Sequence, residues 1–194
     1  MFSSILIWLI VAANALGYIY LLYRAWTRVP RRDIDDVVHF LHPVDLSLVE
    51  SLLDPAADFE LRWRLSPRAF REAQLRRMRL YLELVQRMAD NSAVLAEFDN
   101  AVRRADNFTP GLGSKLEEAA INVRLYSMFA RVRLRIWLSL PLDAFGVVPT
   151  PDLARLRKAA DLDGPKAYEE LRTAAAAAFA QLQPAELETL TRNL

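Results

Sequence analysis

The hydrophobic and polar positions divide the chain into two unlike parts. From Met1 to Tyr23 the sequence reads MFSSILIWLIVAANALGYIYLLY, and no charged side chain appears before Arg24. An uncharged apolar run of about 18 residues or more is long enough to cross a bilayer as a helix. At the helical rise this run extends about 34 Å, against a hydrocarbon core of about 30 Å. Beyond it the apolar residues recur every three or four positions, the period of amphipathic helices.

That period predicts a succession of helices. Residues 33–53 read as two short helices broken near His42-Pro43, with Asp45 or Ser47 capping the second. A short helix is expected over 56–63. Ser66-Pro67 then opens the longest one, with serine at the N-cap and proline in the first helical position. It runs to about Arg104 on an apolar stripe of Met78, Tyr81, Val85, Met88, Ser92, Leu95 and Val102, with a bend expected around Ala89–Ser92. Residues 106–113, DNFTPGLG, form a loop. Ser114 and Glu117 then have capping-box spacing for a helix with a core stripe of Ile121, Leu125, Met128, Val132 and Ile136, ending before Pro141. The two long helices are expected to pack as an antiparallel hairpin. LDAFGVVPTP is a second loop. A short helix over 151–162, another over 165–182 and a final turn or two from Pro184 complete the pattern. No internal repeat is visible.

The fold class that follows is all-α: one N-terminal transmembrane helix and a cytoplasmic helical bundle built on a long antiparallel hairpin. The expected domains are an anchor over 1–29, short juxtamembrane helices over 30–65, and the bundle over 66–194. Composition agrees, since Ala, Leu, Arg and Glu dominate and there are only 5 glycines.

Charge fixes an expected direction for the anchor. Arg24, Arg28, Arg31 and Arg32 follow the apolar run before any acidic residue, and Trp26 joins Tyr18, Tyr20 and Tyr23 as an interfacial aromatic belt. The positive-inside rule then places the N-terminus outside and the domain in the cytoplasm, a bacterial inner membrane being the expected setting. Ala13-Asn14-Ala15 has the look of a signal-peptidase site. A basic region ahead of it is missing, however, and the apolar run continues past the cut, so an uncleaved signal-anchor is the better reading. Ala13 and Gly17 form a small-xxx-small pair with Asn14 on the same face, which makes them the expected seam for a partner helix or a second copy.

The remaining composition mostly excludes. With 0 Cys the chain has no disulfide, no thiolate nucleophile and no cysteine-based zinc site. A net charge of +1 gives no bulk field for nucleic acid, and no nucleic-acid partner is expected. His39 and His42 lie near Asp35, Asp36 and Asp45, but there is no further histidine to complete a metal set. TPGLGSK, residues 109–115, resembles a phosphate loop only in its glycines. It lacks the Walker spacing and reads as a helix-hairpin turn. No nucleophile–base pair, metal motif or cofactor fingerprint stands out, so neither a cofactor nor catalysis is expected.

What remains is arginine. Eight arginines lie between Arg62 and Arg87, against Glu72 and Glu83. Arg68, Arg76, Arg79 and Arg87 fall on one side of the long helix. The pairs Glu72–Arg76, Arg79–Glu83 and Glu83–Arg87 have i,i+4 spacing and suit a solvated face. The alternative is a face turned to anionic lipid. In RVRLRIWLSL the residues Arg131, Arg133, Arg135 and Trp137 allow the same two readings. The leading expectation is therefore a membrane-anchored, non-catalytic interaction or scaffold module that binds protein partners, itself among them. The runner-up is a lipid-engaging module, and the third a tethered enzyme.

Overall fold

A computed structural model describes residues 34–104, 111–139, 152–159, 162–182 and 184–194. The chain separates into two units, Met1–Arg32 and Asp33–Leu194, and all of the described residues belong to the second. The expected transmembrane helix lies outside the described residues. Among the described residues no helix is long and apolar enough to cross a membrane.

The second unit is a helical bundle. A 3-10 turn over Ile34–Phe40 leads into α1 (Leu46–Leu52) and α2 (Pro55–Arg64). The two long helices follow, α3 (Pro67–Arg104) and α4 (Leu112–Ser139), and then α5 (Gly164–Leu182) and α6 (Leu187–Asn193). Local chemistry sets most of these boundaries. The Asp45 carboxylate accepts from the Ser47 and Leu48 amides at the start of α1, and Asp54 accepts from Ala56 with Pro55 in the first turn of α2. Ser66 and Pro67 start α3 as expected, the Ser66 hydroxyl accepting from the Ala69 amide at 3.4 Å. α3 passes through Ala89–Ser92 as one continuous helix. There the Ser92 hydroxyl donates to the Ala89 carbonyl at 2.7 Å.

α3, α4 and α5 make the core in an up-down-up arrangement. Tyr81 meets Tyr126 hydroxyl to hydroxyl where α3 and α4 cross. Phe98 of α3 stacks on Phe179 of α5 with ring centroids 4.4 Å apart. The expected α3 stripe is the core stripe: Met78, Tyr81, Val85, Met88, Ser92 and Leu95 are all fully buried.

Three expectations are corrected. The Ile121–Leu125–Ile136 row of α4 does not face the core, and those residues are exposed. The buried row is Leu116, Ala119, Ala120, Val123, Tyr126, Ser127, Ala130 and Leu134. α4 carries two apolar rows, and the one with small side chains lets α3 and α5 approach at close helix-packing distance, which a row of Ile, Leu and Phe would hold apart. Ser114 is not the cap of α4. The helix begins at Leu112 after Gly111, whose φ of 109° suits a residue without a Cβ. The Ser114 hydroxyl instead donates back to the Gly111 carbonyl at 2.9 Å. The described residues of the expected 151–162 helix, 152–159 and 162, are not α-helical. Asp152 caps a 3-10 turn, Leu153–Leu156, followed by a minimal antiparallel ladder of β1 (Lys158–Ala159) and β2 (Leu162–Asp163). That ladder delivers the chain to Gly164, where the Tyr126 ring lies so close that any Cβ would overlap it.

Candidate functional site

The outer face of α4 is the largest departure from what a monomer needs. Ile121, Leu125, Phe129 and Ile136 are 47%, 42%, 44% and 56% exposed, with Met128 and Val132 half-buried along the same row. Single exposed apolar residues are ordinary, whereas a continuous row of them marks an interaction surface. Arg124, Arg133 and Arg135 flank the row and are exposed, and no carboxylate occurs on α4 between Ala119 and Ser139. The Arg133 guanidinium lies 5.1 Å from the Trp137 ring centroid, a cation–π distance.

A second exposed feature sits on α2. Phe59 and Trp63 are one helical turn apart and 71% and 84% exposed. α2 is held by its other side. The Arg77 guanidinium pairs with the Asp58 carboxylate and donates to the Leu52 carbonyl at 2.8 Å, and the Arg62 guanidinium lies 5.9 Å from the Phe70 ring centroid. The aromatic pair is thus presented on a fixed helix and is not packed into the domain.

The arginine face of α3 is only partly laced. Arg68 pairs with Glu72 at 3.5 Å, and Arg87 with Glu83 at 2.6 Å while also donating to the Pro43 carbonyl at 3.2 Å. The expected pairs Glu72–Arg76 and Arg79–Glu83 do not form. Two glutamates cannot serve four arginines, and Arg76 and Arg79 are left exposed without an ion-pair partner among the described residues. Arg68, Arg76 and Arg79 sit toward one pole of the hairpin, and Arg87 lies past the Tyr81–Tyr126 crossing. Ten residues from the Tyr81–Tyr126 crossing, about 15 Å along each helix, Arg71 of α3 and Ile136 of α4 reach the same level.

The interior holds a polar network. The Asn91 side chain accepts from the His42 amide at 2.8 Å and donates to the His42 carbonyl at 2.7 Å and to the Tyr168 hydroxyl at 2.6 Å. The Tyr126 hydroxyl, joined to that of Tyr81, donates to the Leu156 carbonyl at 2.8 Å. Burial pushes the Tyr81 and Tyr126 hydroxyls well above the ordinary phenol range and Tyr168 up to about 12. These groups are neutral, internally bonded and shut away from solvent, so they hold elements together and offer no acid or base. Between α4 and α5 lies a groove of about 630 Å³, with Lys115, Glu118, Lys166 and Glu170 on its rim over an alanine floor. Its charges are mixed in sign, and the Thr173 hydroxyl on its wall donates to the Glu169 carbonyl at 2.9 Å. His39 and His42 are both exposed, and among the described residues no three metal-ligating side chains converge.

The expected site residues therefore separate. Arg68, Arg76, Arg79 and Arg87 lie on α3, and Arg131, Arg133, Arg135 and Trp137 on the last turns of α4. Arg24, Trp26, Arg28, Arg31 and Arg32, and the seam of Ala13, Asn14 and Gly17, lie outside the described residues. The sequence reading missed Phe59 and Trp63. Their i,i+4 spacing beside Arg62 and Arg64 was the available signal. The chain matches no known family model, and neither a curated protein nor a solved structure is significantly similar to it.

Proposed function

We propose that the chain is a single-pass membrane protein whose helical domain is a binding module and not a catalyst. The apolar run at Met1–Tyr23 and the arginines after it support an N-out anchor with the domain in the cytoplasm. The observation that carries the binding role is the exposed row of Ile121, Leu125, Phe129 and Ile136. Its occupant is a helix of a protein partner, with an apolar stripe of its own and acidic flanks to meet Arg124, Arg133 and Arg135.

The test places a photo-crosslinking residue at Leu125 or Phe129 of the full chain in its own membranes. The expected result is a discrete adduct mapping to an acidic-flanked helical segment of one partner. Adducts spread over many unrelated proteins overturn the reading, and adducts to the chain's own α4 replace the partner with a second copy. Resistance to alkaline carbonate extraction, with protease access from the cytoplasmic side only, is the expected result for the anchor. Extraction by carbonate refutes the anchor.

A further inference from the structure

We infer that the pole of the domain formed by α2, the start of α3 and the end of α4 rests on an anionic bilayer surface, with Phe59 and Trp63 inserted at the headgroup level. This rests on the anchored reading above but concerns the end of the hairpin and not the α4 row, with Arg133 and Arg135 bordering both. The argument begins with exposure. A tryptophan and a phenylalanine 84% and 71% exposed, one turn apart, on a helix that buries no residue of its own, are costly in water and favourable at a membrane interface. Charge names the membrane type. Arg62, Arg76 and Arg79 are exposed around this pole, Arg64 is exposed but paired with Glu60 on its own helix, and Arg133 and Arg135 approach the pole along α4. The first half of α3, residues 67–85, carries five arginines against Glu72 and Glu83, and the last half of α4, residues 126–139, carries Arg131, Arg133 and Arg135 with no acid. The opposite halves are balanced, with Arg87, Arg103 and Arg104 against Asp90, Glu97 and Asp99 on α3 and Lys115 and Arg124 against Glu117 and Glu118 on α4. The hairpin is therefore polarised along its length. An anionic surface attracts the arginine pole more strongly than the charge-balanced one, which orients the domain as well as holding it. Attachment supports the same surface. The Arg77 contacts to Asp58 and to the Leu52 carbonyl fix α2 against α3, so the aromatic pair and the α3 arginines move as one body.

The absence of cysteine makes the test direct. A single Phe59→Cys change in the full chain takes an environment-sensitive fluorophore, and Glu118→Cys at the other pole serves as control. Each protein is reconstituted in vesicles of phosphatidylcholine with or without phosphatidylglycerol, some carrying acyl chains with a quencher near the headgroup. The expected result is a blue shift and quenching at position 59 in the phosphatidylglycerol vesicles only. Position 118 stays unquenched. Arg76→Gln with Arg79→Gln weakens the quenching, at about fivefold in the surface-binding constant for each arginine removed. Trp63→Ala weakens it too, with circular dichroism unchanged. Equal quenching without phosphatidylglycerol overturns the anionic preference. No quenching at 59, or protection of 59 by crosslinking to a second copy, overturns the lipid surface in favour of solvent or protein. Carbonate extraction is scored separately. A chain that is extracted refutes the anchor, and its vesicle binding must then still rise with phosphatidylglycerol content, or the inference fails as well.

Discussion

Asn91 holds the main chain of His42 by both ends of its amide, the side-chain oxygen taking the His42 N–H and the side-chain nitrogen giving to the His42 carbonyl. Forty-nine residues of sequence separate the two. The segment that enters the domain from the expected anchor is thus pinned to the middle of its longest helix, and the spare N–H of the same amide reaches Tyr168 on α5. One side chain fixes the entry segment, α3 and α5 together.

Asn91→Ala removes three hydrogen bonds and leaves buried groups unpaired, for a cost of about 2–4 kcal/mol. Asn91→Asp keeps the shape yet is expected to cost at least as much, because a buried carboxylate then faces the His42 carbonyl without a proton to give. Urea unfolding of the full chain in detergent, followed by circular dichroism, measures both. An Asp variant as stable as the parent contradicts the assignment of the amide.

The two apolar rows of α4 differ in their expected sensitivity. Leu134 is fully buried, and Leu134→Ala is expected to cost about 2–5 kcal/mol. Leu125→Ser on the exposed row changes stability by less than about 0.5 kcal/mol. Thermal denaturation of the pair decides which row is the core. If Leu125→Ser is the damaging change, the exposed row is packed and does not receive a partner.

How far the sequence could be read follows from the kinds of interaction involved. Starts set by a side chain and nearby amides, at Asp45 and Ser66, were legible because their chemistry is local. So was the α3 stripe, whose large residues compete with only Leu80 as an exposed apolar side chain among the described residues of that helix. The α4 stripe was not, because Ile121 and Leu125 outweigh Ala119 and Ala120 by size, and only the closeness of three helices rewards the alanines. The ladder at 158–163 was equally hidden, since two-residue strands carry no period. The aromatic pair on α2 was visible as residues but not as exposure. Whether Trp63 packs inward depends on which side of α2 Asp58 turns toward Arg77, and that is a tertiary fact.

Gly164 and Tyr126 give a steric prediction. The ring carbons of Tyr126 occupy the space a Cβ at 164 would need. Gly164→Ala is therefore expected to cost about 1–3 kcal/mol by overpacking, and more if the Tyr126 hydroxyl is driven off the Leu156 carbonyl. Tyr126→Phe removes the hydroxyl contacts and leaves the ring in place, so it should not rescue Gly164→Ala. Rescue by Tyr126→Phe in a double-mutant cycle would show that the hydroxyl and not the ring sets the constraint.

The buried tyrosines set the response to alkali. Burial is the first cause of the raised Tyr168 value, which stands at about 12 against 10.0 for the free side chain, and the Asn91 hydrogen bond offsets it only in part. Tyr81 and Tyr126 are raised by the same cause. In each the folded state favours the neutral hydroxyl. Their contribution is therefore fully present below pH 10.0 and is lost as pH rises toward 12, Tyr168 alone accounting for about 2–3 kcal/mol. Asp45 has the opposite sign. The Ser47 hydroxyl lowers its carboxyl below 3.8, so its help to α1 is present above that value and lost in acid. The expected profile is flat through neutral pH and falls steeply above 10.0. Tyrosinate absorbance and far-ultraviolet circular dichroism, titrated together, test it. The buried hydroxyls must ionise with the loss of helix, and their ionisation near pH 10.0 in a still-folded chain would show that they reach solvent.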